Sequence, residues 1–193
     1  MVSGPGGVGK GTTVAHLARR RPDVVVSVSA TTREPRPGEV DGQHYHFLSE
    51  AAFDALIAAD GLLEWAEFNG HRYGTGWQSV AEALETRRPV VLEIDVQGAR
   101  QVRANYPEAV LVFLTAPSES ELRNRFAERG SEDDQQIAAR LRIAEWELAQ
   151  ADEFDHRIVN EDLDRTVAQL SRIIDQMPVR SSSVGSETHR HHR

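Results

Sequence analysis

Gly4-Pro5-Gly6-Gly7-Val8-Gly9-Lys10-Gly11-Thr12 carries the spacing G-x-x-x-x-G-K and decides the fold. Glycines let backbone N–H groups converge on phosphate oxygens, the helix that follows adds the positive end of its dipole, and the lysine ammonium bridges the outer phosphates. Val2 and Ser3 supply the end of a strand before the loop. Residues 10–20 supply the helix after it, with Val14 and Leu17 on one face. Strand, glycine loop and helix in that order make Gly4 to Thr12 a site for a nucleoside triphosphate. Gly11 stands where a Ser or Thr usually follows the lysine, so the hydroxyl expected on Mg²⁺ moves one place on, to Thr12. Lys10 is the only lysine among 22 basic residues. A compact ammonium approaches phosphate oxygens in a way that a guanidinium does not. The motif names a ligand and not a reaction.

Working outward, residues 24–28, 90–94, 109–114 and 158–159 read as short buried strands, and 79–87, 97–104, 118–129, 134–150 and 163–177 as helices. This alternation implies an α/β fold with a doubly wound parallel sheet. Residues 29–76 break the rhythm. Tyr45 and Phe47 alternate with His44 and His46, Ser49 caps a helix reaching residue 59, and residues 62–68 form a strand, so an inserted, mainly antiparallel subdomain is expected. Only Met1 to Ser3 precede the glycine loop, about 10 Å of strand at ~3.3 Å per residue, so either the true start lies upstream or a weakened central strand is expected. Residues 178–193 are polar and rich in Ser, His and Arg, a composition expected to be disordered.

The bulk numbers exclude several classes. The 193 residues suit one compact domain, 39% apolar and 27% charged. No apolar run approaches the ~18 residues of a membrane span, and no signal-peptide pattern opens the chain. The absence of cysteine rules out disulfides and thiolate chemistry and fits a cytoplasmic protein. A net charge of -8 argues against a nucleic-acid partner. His44, His46 and the tail's His189, His191 and His192 read as surface histidines, since no carboxylate is arrayed with them. No feature of the sequence sets an oligomeric state.

The segment from Ser27 to Phe47 is the most specific stretch (SVSATTREPRPGEVDGQHYHF). Arg33 and Arg36, three apart and held by prolines, make a fork for a phosphate monoester, and a tyrosine on a nearby strand could donate to the same group. Glu93 and Asp95 end a buried strand at the carboxyl edge where α/β sites gather, suited to Mg²⁺ through water or to an acceptor.

Together with LLEWAEFNGHRYGT, LEIDVQGARQV and the pair RNRFAERG and ARL, these blocks resemble the guanylate kinase family over residues 3–177. The resemblance implies a P-loop kinase fold with a GMP-binding insert at 29–76 and an arginine lid at about 125–145. It implies transfer of the γ-phosphoryl of ATP to GMP, and to dGMP, in purine nucleotide metabolism, with Mg²⁺ accompanying ATP. Gly4, Pro5, Gly6, Gly7, Val8, Gly9, Lys10, Gly11 and Thr12 would bind ATP. Arg33, Arg36, Tyr45 and Tyr73 would hold the GMP phosphate, and Ser29, Glu64 and Thr75 would read guanine, with Glu93 and Asp95 completing the acceptor site. Lys10, Arg36, Arg125, Arg129 and Arg140 would be catalytic, Thr12 and Asp95 would face the metal, and Asn160 would lie near the adenine. Guanine offers N1–H and N2–H₂ as adjacent donors, which one carboxylate accepts together. Peptide-binding modules of this family typically carry degraded phosphate loops, whereas Lys10 and the arginines are in place.

Overall fold

The computed structural model describes residues 1–128 and 134–177. Its core is a parallel sheet built from β1 (Val2–Ser3), β2 (Val25–Val26), β7 (Val90–Val91), β8 (Val112–Thr115) and β9 (His156–Val159). The ladders β2·β7 and β1·β8·β9 are joined by the pairing of Val2 with Glu93, giving the order β2-β7-β1-β8-β9. Although β1 is two residues long, it is bonded on both sides. Val2 N donates to Leu92 O (2.8 Å), Ile94 N to Val2 O (3.2 Å) and Val112 N to Met1 O (2.9 Å).

Successive strand residues face opposite ways, and the core divides accordingly. Val91 and Leu114 pack with Val14 and Leu17 of α1 (Lys10–Arg20) and with Val167 and Leu170 of α7 (Leu163–Gln176). Leu92, Ile94 and Leu111 pack on the other face with Val80 of α3 (Trp77–Glu85) and Val102 of α4 (Val96–Asn105). Burial of each such side chain stabilises by roughly 1.5–3 kcal/mol. Helix α5 (Glu119–Glu128) sends Leu122 and Phe126, and α6 (Asp134–Leu148) sends Ile137, Leu141 and Ala144, into the first of these clusters.

A second sheet runs β4 (His46–Phe47), β3 (Ser29–Thr31), β6 (His71–Gly76), β5 (Leu62–Phe68). The β3·β6 and β5·β6 pairs are antiparallel, while β3·β4 is parallel. Helix α2 (Glu50–Ala58), capped by Ser49 accepting from Ala52 N, packs fully buried Phe53 edge-on to Trp65 (6.4 Å between centroids).

The element bounds differ from the sequence reading in places with local causes. The strand expected at 24–28 shortens to Val25–Val26 because the chain peels away: Ser27 N still reaches Val91 O (3.1 Å), but Ser29 already pairs with Thr75. The strand expected at 109–114 begins at Val112, since Leu111 N is taken by the Asp155 side chain (2.8 Å). The tail expected to be disordered and Arg129 lie outside the described residues.

Candidate nucleotide site

The phosphate loop turns directly into α1. Gly9 caps the helix at φ 89°, a left-handed conformation that costs glycine nothing, and no side chain caps the first turn. No acidic residue stands in that turn either, so its N–H groups and dipole are oriented for an anion. Lys10 Nζ donates to the loop's own carbonyls at Gly4 (2.5 Å) and Pro5 (3.1 Å). The lysine thus lies folded over the cradle it would serve.

Asn160, directly after β9, braces this loop from behind. Its buried amide donates to Val8 O (2.7 Å) and to Thr13 Oγ1 (3.4 Å), and a Cβ at position 9 would come within 2.8 Å of its Nδ2. Arg125 of α5 reaches the same place, donating to Val8 O (3.4 Å), Asn160 O (3.2 Å) and Glu121 Oε1 (3.0 Å). Gly7, Gly9, Thr12, Arg125, Asn160 and Leu163 line an open cleft of about 490 Å³ beside the loop, within the range of small-ligand sites. Arg140 stands over the Phe126 ring at 5.5 Å, further along the α5–α6 pair.

The acceptor candidates come from the second sheet, and strand register explains their grouping. Ser29 of β3 pairs with Thr75 of β6, which pairs with Glu64 of β5, so the three lie in one row across the strands. Thr75 Oγ1 donates to Glu64 Oε1 at 2.6 Å. Glu64 is only 5% exposed. Burial pushes its carboxyl up to about 7, with Asp95 adding to the rise and the Thr75 hydroxyl opposing it. Two residues along β6, Tyr73 meets Tyr45 edge-on (6.0 Å between centroids), and Arg33 lies over the Tyr45 ring (5.5 Å).

Arg33 and Arg36 do not form a symmetrical fork. Arg33 is paired twice with Glu39 (2.9 and 2.9 Å), which holds the guanidinium firmly charged and the carboxylate below its usual range. Glu39 also accepts from Arg36 N (2.7 Å), while the Arg36 side chain is exposed. The prolines shape the turn, but a carboxylate sets the spacing.

Glu93 and Asp95 diverge in a way their spacing concealed. Glu93 is raised by burial and lowered by Lys10, and it adds to the rise that burial gives Tyr45, so it stands between the phosphate loop and the tyrosines. A Cβ at Gly11 would lie 3.4 Å from its Oε2, placing Glu93 against the first turn of α1. Asp95 instead caps α4, accepting from Gly98 N (2.7 Å), and faces Glu64.

One buried carboxylate was missed. Glu147 of α6 is 8% exposed; burial lifts it to about 7, Asp95 adds to the rise, and Lys10 and the Gly6 N–H oppose it. Ile137, Leu141 and Ala144 mark the buried stripe of α6, and Glu147 falls three residues further on that stripe. A carboxylate on an apolar stripe was the readable signal.

A phosphate loop after the central strand of a parallel sheet, with a second sheet inserted after β2, defines a P-loop kinase fold. The family model described as guanylate kinase matches residues 1–177, and the chain belongs to the guanylate kinase family. It is 53% identical over 177 residues to a guanylate kinase of Streptomyces coelicolor, covering 90% of each chain. It is 52% identical over 174 residues to that of Thermobifida fusca, covering 90% of this chain and 89% of the other. Among solved structures, the guanylate kinase from Anaplasma phagocytophilum superposes with a TM-score of 0.76 at 31% identity, covering 92% of this chain and 85% of that one.

Proposed function

We propose that the chain transfers the γ-phosphoryl group of ATP to GMP, giving ADP and GDP, and accepts dGMP in the same site. The row Ser29–Thr75–Glu64 carries this reading. Ionised Glu64, held by Thr75, accepts from guanine N1–H and N2–H₂ together. Adenine offers no such pair and would leave the buried carboxylate unpaired, a loss worth roughly 10⁴-fold in discrimination.

Arg33, Arg36, Tyr45 and Tyr73 would hold the acceptor phosphate at the edge of this row. Glu93, between Lys10 and Tyr45, marks where the two nucleotides meet. Lys10 would leave the Gly4 and Pro5 carbonyls and swing onto the β- and γ-phosphates, with the loop N–H groups from Gly6 to Thr12 around them. Arg125 is within reach of the loop, and Arg140 and Arg129 would join it as the α5–α6 pair closes. Arginines there neutralise charge spread over the transferring group and exclude water that would otherwise hydrolyse ATP. The acceptor phosphate oxygen attacks in line; no residue is modified.

Mg²⁺ bound with ATP would neutralise charge on the β- and γ-oxygens. The described residues hold no cluster of three or more side chains able to ligate a metal, which fits an ion that keeps most of its waters and leans on substrate phosphates. Thr12 in the first turn of α1, with Glu93 against that turn and Asp95 beyond it, supplies hard oxygen donors of the right kind. No helix among the described residues is long and apolar enough to cross a membrane, and a cysteine-free chain acting on free nucleotides suits the cytoplasm.

An ADP-release assay with GMP, dGMP, AMP and UMP, with Lys10→Ala as control, tests the proposal. Turnover with GMP and dGMP that disappears in the variant supports it. Equal rates with AMP or UMP, or near-normal turnover in Lys10→Ala, would overturn it.

A further inference from the structure

Gly98 sits in the first turn of α4, a helical position where glycine is a poor choice and alanine a good one. Its backbone calls for no glycine, because its φ is not among the positive ones. What the missing side chain does is leave room for Glu64. A Cβ at position 98 would overlap Glu64 Oε2 and lie 2.9 Å from its carboxyl carbon. The opposite oxygen is the one that accepts from Thr75 (2.6 Å). The carboxylate is therefore gripped on one side by a hydroxyl and seated on the other against a bare helix turn. That turn is itself fixed, since Gly98 N donates to the N-cap carboxylate of Asp95 (2.7 Å) and Ala99 N to Asp95 O (3.0 Å). Gln101, one turn on, ties α4 to the same strand, donating to Trp65 O (2.6 Å) and accepting from Trp65 N (3.2 Å).

We infer that Gly98 is a specificity-positioning residue: by presenting no side chain, it sets the distance at which Glu64 meets the guanine edge. The inference rests on the guanine-reading role proposed for Glu64. Its physical basis is asymmetric. Asp95 fixes the first turn of α4 and Gln101 ties that helix to the β5 backbone, whereas a glutamate carboxylate is the far end of a flexible side chain. A methyl group at position 98 therefore moves the carboxylate and not the backbone. Glu64 loses the Thr75 hydrogen bond and its aim while the fold is retained.

The test compares KM and kcat for GMP, IMP and AMP in wild type, Gly98→Ala, Glu64→Gln, Glu64→Asp and the double variant Gly98→Ala/Glu64→Asp. IMP lacks the N2 amine and so reports on the paired contact. Gly98→Ala is expected to raise KM for GMP at least tenfold and to lower the GMP-over-IMP preference by a similar factor, with KM for ATP within about twofold of wild type. Aspartate is one methylene shorter and clears the added methyl. In the Glu64→Asp background, Gly98→Ala should therefore change the preference by less than threefold. A Gly98→Ala enzyme with wild-type preference, or one whose KM for ATP rises and whose melting temperature falls as its preference is lost, overturns the inference. Should Gly98→Ala not fold, the double variant decides. Folding with the preference of Glu64→Asp supports the inference, and failure to fold overturns it. Glu64→Gln separates the two layers: if it leaves GMP preference intact, the role proposed for Glu64 fails and Gly98's with it. If it abolishes the preference while Gly98→Ala does not, only the Gly98 inference fails.

Discussion

The two halves of the site are built from different materials. Around the proposed triphosphate, the binding groups would be backbone N–H groups of one contiguous loop, stiffened from behind by Asn160 and Arg125. Around the proposed acceptor, they would be side chains gathered from three strands, a proline-rich turn and a helix start, two of them held by another side chain: Glu64 by Thr75 and Arg33 by Glu39. A backbone site binds any triphosphate in one geometry and tolerates few changes. A side-chain site reads a particular base and is tuned one contact at a time. The first should respond to mutation in rate, affinity and stability together, and the second in acceptor affinity alone.

Four measurements press on that contrast. Removing the ammonium in Lys10→Ala should lower kcat by roughly 10³-fold, because the charge acts most strongly as the phosphoryl group transfers. A change confined to KM for ATP would contradict it. In Arg36→Ala, kcat/KM for GMP should fall roughly 10²-fold, the loss of charge-assisted bonds to phosphate. This loss should sit mainly in KM for GMP, and an equal rise in KM for ATP would blur the two halves into one.

Asn160→Ala touches no acceptor contact, yet it strips Val8 O of a buried donor. It should cost about 2 kcal/mol of stability and weaken ATP binding roughly tenfold. Calorimetry and ATP titration on the same sample would show whether both losses occur; loss of GMP affinity alone would break the comparison.

The last effect concerns pH and leaves catalysis aside. Glu147 has a folded-state pKa of about 7 against an ordinary value of 4.5, so the folded protein holds a proton that the unfolded chain has released. Its contribution to stability is complete below about 4.5 and is lost as pH rises through 7. Between pH 5 and 8 the wild type should lose roughly 1–3 kcal/mol more than Glu147→Gln, read as a difference in melting-temperature slope. Parallel slopes would show that Glu147 ionises freely.

This division also explains what could be read from the sequence. The phosphate loop was legible because its chemistry lies in nine adjacent residues, and α1 has the bounds expected of it. Glu64, Ser29 and Thr75 became candidates only through family resemblance, since register across three strands is not written in local spacing. Glu93 and Asp95 looked like a pair, since residues two apart share one face of a strand, but the strand pairing ends at Glu93, which lies beside Gly11, and Asp95 is already a helix cap. Glu39 lay hidden in an exposed polar turn, and its role exists only once Arg33 folds back onto it. Glu147 was absorbed into an amphipathic pattern that one carboxylate barely disturbs. Gly98 carried no signal, because the neighbour that needs its bareness lies 34 positions away.

The brace between Asn160 and Val8 joins residues 152 positions apart. During synthesis the phosphate loop emerges first, yet its rear support is among the last parts of the domain to be made. β1 must likewise wait for β7 and β8 before it has a neighbour on either side. A ribosome-bound chain halted before β9 would display the complete glycine motif without a rigid cradle. The stiffness of the cradle is thus a long-range property of the fold, complete only once β9 is in place.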